Sequence, residues 1–169
     1  MAAIGHSEAA HRHVGGDIPD RLAVAERRCA ANGAQLTELR RSVLALILAA
    51  DGPLTAYQLL DQLKRDRPGA VPPTIYRALE FLLENRLIHR LERLNAFIPC
   101  SEAEHAHDAA QFLICGRCGS VAELEDPAIG EALARAAQRT GFKPQRAVVE
   151  VEGLCAACAA MECAASSAA

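Results

Sequence analysis

The chain has 169 residues, 51% hydrophobic but only 4% aromatic and without Trp, which allows one ordinary domain or two small ones with cores of Leu, Ala, Val and Ile. Its longest apolar run, Val43 to Ala50, is far short of the ~20 residues that span a bilayer, and no basic-then-apolar leader opens the sequence, so a cytoplasmic protein with no membrane partner is expected. The formal net charge of −3 is unevenly spread: Asp20 to Asn95 holds 12 Lys and Arg against 9 Asp and Glu, and the remainder from Ala96 holds 5 against 10, so only the first part suits an anionic partner.

Residues 1–19 are rich in Ala, Gly and His without periodicity and read as a flexible tail, in which His6, His11 and His13 form at most a loose metal-binding cluster. Asp20 is a candidate N-cap for a helix through Leu22, Val24, Ala25 and Cys29, stopped at Asn32-Gly33, with Cys29 as a packed residue. Thr37 caps a second helix with a broad stripe from Leu39 to Leu48, ended by Asp51-Gly52-Pro53. Thr55 caps a third, in which Leu59, Leu60 and Leu63 face inward until Arg67-Pro68-Gly69. Pro73 suits the first position of a fourth helix, Thr74 to Asn85, with Ile75, Leu79, Leu82 and Leu83 at helical spacing and Tyr76 and Arg77 off that stripe. Leu87 to Leu91 and Ala96 to Pro99 read as a hairpin around Arg93-Leu94-Asn95.

This order over residues 20–99 is that of a winged helix-turn-helix, whose second motif helix carries Tyr76 and Arg77 into the DNA major groove; Arg40 and Arg41 are candidate phosphate contacts. A helical bundle with no nucleic-acid partner is the plainer alternative.

Residues 100–158 hold a different pattern. Phe112-Leu-Ile-Cys115-Gly-Arg-Cys118-Gly119 and Val149-Glu-Val-Glu-Gly-Leu-Cys155-Ala-Ala-Cys158 are short apolar, period-2 runs that each end in Cys-x-x-Cys. Two strand ends that each offer two thiolates suit a tetrahedral Zn²⁺ site, and two matched pairs are hard to explain as redox centres. Gly119 and Gly153 offer positive-φ freedom beside the pairs. Between the pairs, Ser120 to Glu125 reads as a strand, Pro127 to Arg139 as an amphipathic helix and Ala147 to Glu152 as a third strand. The expectation is a small α+β unit with an exposed edge that favours dimerisation, followed by a flexible tail over residues 159–169 with Cys163 as a bystander.

A second candidate metal set lies between the two units: His89 on the first wing strand, Cys100 after the second, His105 or His107 in the following loop, and Glu123. Metal held by His89 and Glu123 would set the angle between the units. A zinc hydrolase or deaminase built on these residues is disfavoured, since neither His-Glu-x-x-His nor His-x-Glu followed by Pro-Cys-x-x-Cys is present. A zinc-stabilised interaction module would leave the helix-turn-helix without a purpose.

Pro72-Pro-Thr-Ile-Tyr-Arg-Ala-Leu-Glu-Phe-Leu-Leu83, Leu87-Ile-His89, the first cysteine run and Gly153-Leu-Cys-Ala-Ala-Cys158 resemble the ferric uptake regulator superfamily, and the last of these is most similar to its zinc uptake branch. The resemblance implies a cytoplasmic repressor, a homodimer with an N-terminal winged helix and a C-terminal dimerisation domain, which binds double-stranded operator DNA and controls zinc uptake genes. It implies one structural zinc at Cys115, Cys118, Cys155 and Cys158 and one regulatory zinc at His89, Cys100, His107 and Glu123. Tyr57 and Arg77 match positions that face DNA, and Thr74 and Tyr76 complete the candidate DNA-contacting set. The soft Cys100 thiolate favours Zn²⁺ over Fe²⁺ or Mn²⁺; an iron or peroxide sensor of the same superfamily is the alternative.

Overall fold

The protein is described here from a computed structural model that covers residues 17–100, 110–124, 126–144 and 147–166. Helix α1 (Ile18–Ala31) starts earlier than its sequence predicts, with Asp17 in place of Asp20 at the N-cap position, where only its carbonyl accepts, from the Arg21 N–H, and with Pro19 in the first turn, where the missing proline N–H leaves no helical bond unmade. It buries Leu22, Ala25 and Cys29 on one face. Helix α2 (Glu38–Leu48) follows Thr37 and buries Val43, Leu44 and Ile47.

Strand β1 (Leu54–Thr55) was not foreseen; it is too short for periodicity and exists only because Leu54 and Thr55 pair with Phe97 and Ala96. Thr55 also begins α3 (Ala56–Asp66) through a capping box, its hydroxyl accepting from the Gln58 N–H while the Gln58 side chain takes the Thr55 N–H. Helix α4 (Pro72–Glu84) opens on two prolines, one residue before the expected start at Pro73, and buries Ile75, Ala78, Leu79, Phe81 and Leu82. Strands β2 (Ile88–Leu91) and β3 (Ala96–Pro99) form the hairpin, with Asn95 at φ 46° in its turn. These elements enclose one core that draws on all four helices, including Leu44, Leu59, Leu79 and Leu82.

The second sheet has the order β5-β4-β6, from β4 (Ala110–Cys115), β5 (Val121–Leu124) and β6 (Val148–Gly153), with β5 antiparallel and β6 parallel to β4. Helix α5 (Pro127–Arg139) supplies the long crossover that a parallel pair requires. The fold is thus mixed α+β, a winged helix followed by a strand-rich unit. Where the sequence suggested an irregular tail after Cys158, helix α6 (Ala156–Ser166) runs instead, because Ala156-Ala-Cys-Ala-Ala-Met-Glu is rich in the residue with the best helix propensity. No helix among the described residues is long and apolar enough to cross a membrane.

Candidate functional site

The parallel register of β4 and β6 places Cys115 opposite Gly153, so both strands end at the same level. The chain leaves β4 through the turn Cys115-Gly-Arg-Cys118, in which the Gly119 N–H bonds the Cys115 carbonyl and Gly119 takes φ +73°. Gly153 does not take a positive φ, contrary to expectation; it is the last residue of β6, and its carbonyl accepts the Gly116 N–H at 2.9 Å. Cys155 stands just before α6 and Cys158 lies in its first turn, a spacing of three that puts both thiols on one side.

The four sulfurs lie within 4.8 Å of one another, with Cys118 Sγ 3.7 Å from Cys155 Sγ. A tetrahedral Zn²⁺ with Zn–S of ~2.3 Å has sulfur–sulfur edges of ~3.8 Å, so the donor set fits zinc in number, chemistry and size. Main-chain N–H groups already favour thiolate: that of Cys118 first, then those of Cys155 and Arg117, lower the Cys115 thiol to about 6. The Cys158 N–H lowers Cys155. Burial, with hydrogen bonds from the other thiols, pushes Cys158 up to about 12, so metal must displace its proton. Arg117 reaches the Cys158 carbonyl at 3.4 Å and ties the first turn to α6.

The second proposed set is distributed at the junction of the two units. His89 is buried on β2 with its ring edge-on to Phe112, centroids 5.4 Å apart; Glu123 is opposite Phe112 across β4 and β5, and so on the same face of the sheet. Cys100 is buried after β3, its N–H bonded to the Leu87 carbonyl and its carbonyl to Arg21 of α1 at 3.1 Å. Burial lowers the Arg21 pKa and the Cys100 thiol opposes that shift. His107, with the alternative His105, lies outside the described residues. Among the described residues only the four cysteines form a group of three or more metal-ligating side chains.

On α4, Tyr76 and Arg77 project away from the core, with Tyr76 55% exposed and Thr74 half-buried at the same end; Tyr57, on α3, is 74% exposed. Two large aromatic side chains held in water beside an arginine, on the paired helices of a winged helix, form a surface suited to a nucleic-acid groove. Arg40 and Arg41, the candidate phosphate contacts, both have partners within the protein. The Arg40 guanidinium stacks 3.5 Å over the Phe81 ring and donates to the Gln35 carbonyl, and Arg41 pairs with Glu26 at 2.7 Å. Sequence reading also missed Arg93, Glu150 and Glu152, which join the wing to β6 across more than fifty residues; nothing local marks them as partners.

A winged helix joined to a four-thiolate group suited to zinc is the architecture of a metal-binding, DNA-binding regulator. The ferric uptake regulator family pattern matches residues 31–152, and the chain belongs to that family. It is 40% identical over 141 residues to the zinc uptake regulation protein of Escherichia coli (strain K12), spanning 83% of this chain and 82% of that one. A zinc uptake regulator solved in complex with zinc and DNA superposes with a TM-score of 0.81 at 38% identity, over 88% of this chain and 99% of the other. Holo XcZur gives 0.75 at 45% identity, over 85% and 99%. The chain is therefore a DNA-binding regulator of this family, of the zinc uptake type, and not an enzyme.

Proposed function

We propose that the protein is a zinc-responsive repressor of zinc uptake genes, a cytoplasmic homodimer that binds operator DNA when a regulatory zinc ion is held in addition to the structural one. The observation that carries this reading is the complete four-thiolate site joined to a winged helix; His89, Cys100 and Glu123 are the donors we assign to the regulatory ion, with the His89 ring against Phe112 and Glu123 opposite Phe112 in support. His107 is the proposed fourth ligand. Bound zinc supplies a cross-link: at the thiolates between two strand ends, and at the junction between winged helix and sheet. His89 and Cys100 belong to the wing and Glu123 to the second sheet, so holding them together selects one angle between the units. Only molecules at that angle present both recognition helices of a dimer at half-site spacing. Thr74, Tyr76 and Arg77 from α4, with Tyr57 from α3, are the proposed DNA contacts.

Dimerisation is supported by α5, an amphipathic helix with no fully buried residue and with Leu133 exposed, and by Leu113, Leu124, Val148 and Val151, exposed on the sheet. Apolar side chains left exposed on an amphipathic helix and a sheet are consistent with cover by a second copy of the chain.

The test is thermodynamic linkage. With a duplex selected by the protein from random DNA at saturating zinc, DNA must tighten regulatory zinc binding by the same factor by which zinc tightens DNA binding, typically ~5- to 150-fold. Equal zinc affinity with and without duplex overturns the regulatory role, and activation by Fe²⁺ at lower free concentration than Zn²⁺ reassigns the protein as an iron sensor.

A further inference from the structure

The wing turn is held at its main chain as well as at its side chains. Both oxygens of the Glu150 carboxylate accept N–H groups of the turn, Oε1 from Glu92 at 2.6 Å and Oε2 from Arg93 at 3.0 Å. Two residues further along the same face of β6, Glu152 receives the Arg93 guanidinium in a fork, Nε to Oε2 at 2.8 Å and Nη2 to Oε1 at 3.0 Å. Beneath these bonds Leu91 and Leu94 of the wing pack with Phe112 and Ile114 of β4. Gly116 leaves room for the contact, since a methyl group there would stand 2.8 Å from Glu152 Oε1.

Four charge-assisted hydrogen bonds thus converge on one turn. An isolated exposed ion pair contributes little, but bidentate geometry and two main-chain donors make this a fixed joint. Both of its ends lead to functional groups. On one side Glu152 is followed by Gly153 and then Cys155, so the strand that grips the wing ends in the metal knuckle. On the other, the Leu87 N–H bonds the Leu82 carbonyl and both side chains share the first core with Ile88, so the wing moves with α4.

We propose that Arg93, Glu150 and Glu152 are positioning residues for DNA binding, a clamp that fixes the recognition helix relative to the cysteine-bearing strand. The proposal rests on the DNA-binding reading above, and it gives the four-thiolate site a mechanical hold on the DNA-binding unit that is independent of His89 and Cys100. It also assigns Arg93 to the protein and away from the DNA backbone, and this decides the sign of the key experiment.

Full-length, zinc-loaded variants are titrated with the selected duplex by fluorescence anisotropy. Glu150→Ala, which removes two charged acceptors, weakens binding about tenfold, and Glu152→Ala weakens it about threefold. The exchange of Arg93→Glu with Glu152→Arg recovers most of the loss that either single change causes. If Arg93 is instead a phosphate contact that Glu152 restrains, Glu152→Ala tightens binding; tighter or unchanged binding overturns the clamp. A second measurement needs no DNA: deuterium uptake over residues 88–99 is faster in Glu150→Ala than in the parent, at unchanged zinc content, and equal uptake also overturns the clamp. A parent protein that binds no duplex, yet shows this difference in uptake, overturns the regulator reading and leaves the clamp standing.

Discussion

Replacing Cys115 with serine tests whether metal holds the second unit together. The change exchanges a thiolate for a neutral hydroxyl at a site whose four sulfurs lie within 4.8 Å of one another. Little else in this unit resists unfolding. Its own large buried side chains are Phe112 and Ile114, which pack with Leu91 of the wing; at ~1.5–3 kcal/mol each the two contribute about 3–6 kcal/mol. No residue of helix α5 is fully buried within the chain. Structural zinc contributes ~10–16 kcal/mol to small metal-dependent folds, more than this core. Loss of one of four ligands therefore removes a large part of what holds β4, β6 and α6 in register, while the winged-helix core, which has no metal in it, is spared. Differential scanning calorimetry of Cys115→Ser is expected to show the strand-rich unit melting well below its parental temperature, with the winged-helix transition retained and the tight zinc lost to a chelator. Cys100→Ser, outside the four-thiolate group, is expected to keep the parental profile. Retention of chelator-resistant zinc by Cys115→Ser, together with an unchanged melt, would refute the reasoning.

Three further outcomes are expected. Arg77→Ala should cost ~1–3 kcal/mol of operator binding and relax the preference at one position per half-site, whereas Arg40→Ala should reduce the melting temperature of the winged helix, because Arg40 covers Phe81 and bonds Gln35; duplex titrations on selected and scrambled sequences, paired with melts, separate the two. Zinc loading of the four-thiolate site should release protons and tighten as pH rises from 6 to 8, since Cys115 enters as thiolate with its thiol at about 6 while Cys158, at about 12, must give up its proton; calorimetry in buffers of different ionisation enthalpy measures the release, and a pH-independent affinity contradicts it.

The cysteine pairs were legible from sequence because metal ligation imposes local spacing: Cys-x-x-Cys at a strand end already places two sulfurs together, and two such pairs leave little freedom in their pairing. The helices were legible for a similar reason. Leu59, Leu60 and Leu63 on α3, or Ile75, Leu79 and Leu82 on α4, declare a buried face by their period, and that left Tyr76 and Arg77 on the outside, whereas Tyr57 was marked only by the family resemblance. Tertiary structure decided what has no local signal. Strand β1 exists through its pairing with β3, and Arg40 faces Phe81 because α2 packs beside α4. The approach of His89 to Phe112, and so to the face that carries Glu123, depends on how the wing docks against the second sheet. Above all, Arg93 and Glu152 are ordinary surface residues in the sequence. They became partners because the parallel return of β6 beside β4 carries Glu150 and Glu152 under the wing turn, a contact set by the path of the whole chain and by no periodicity within it.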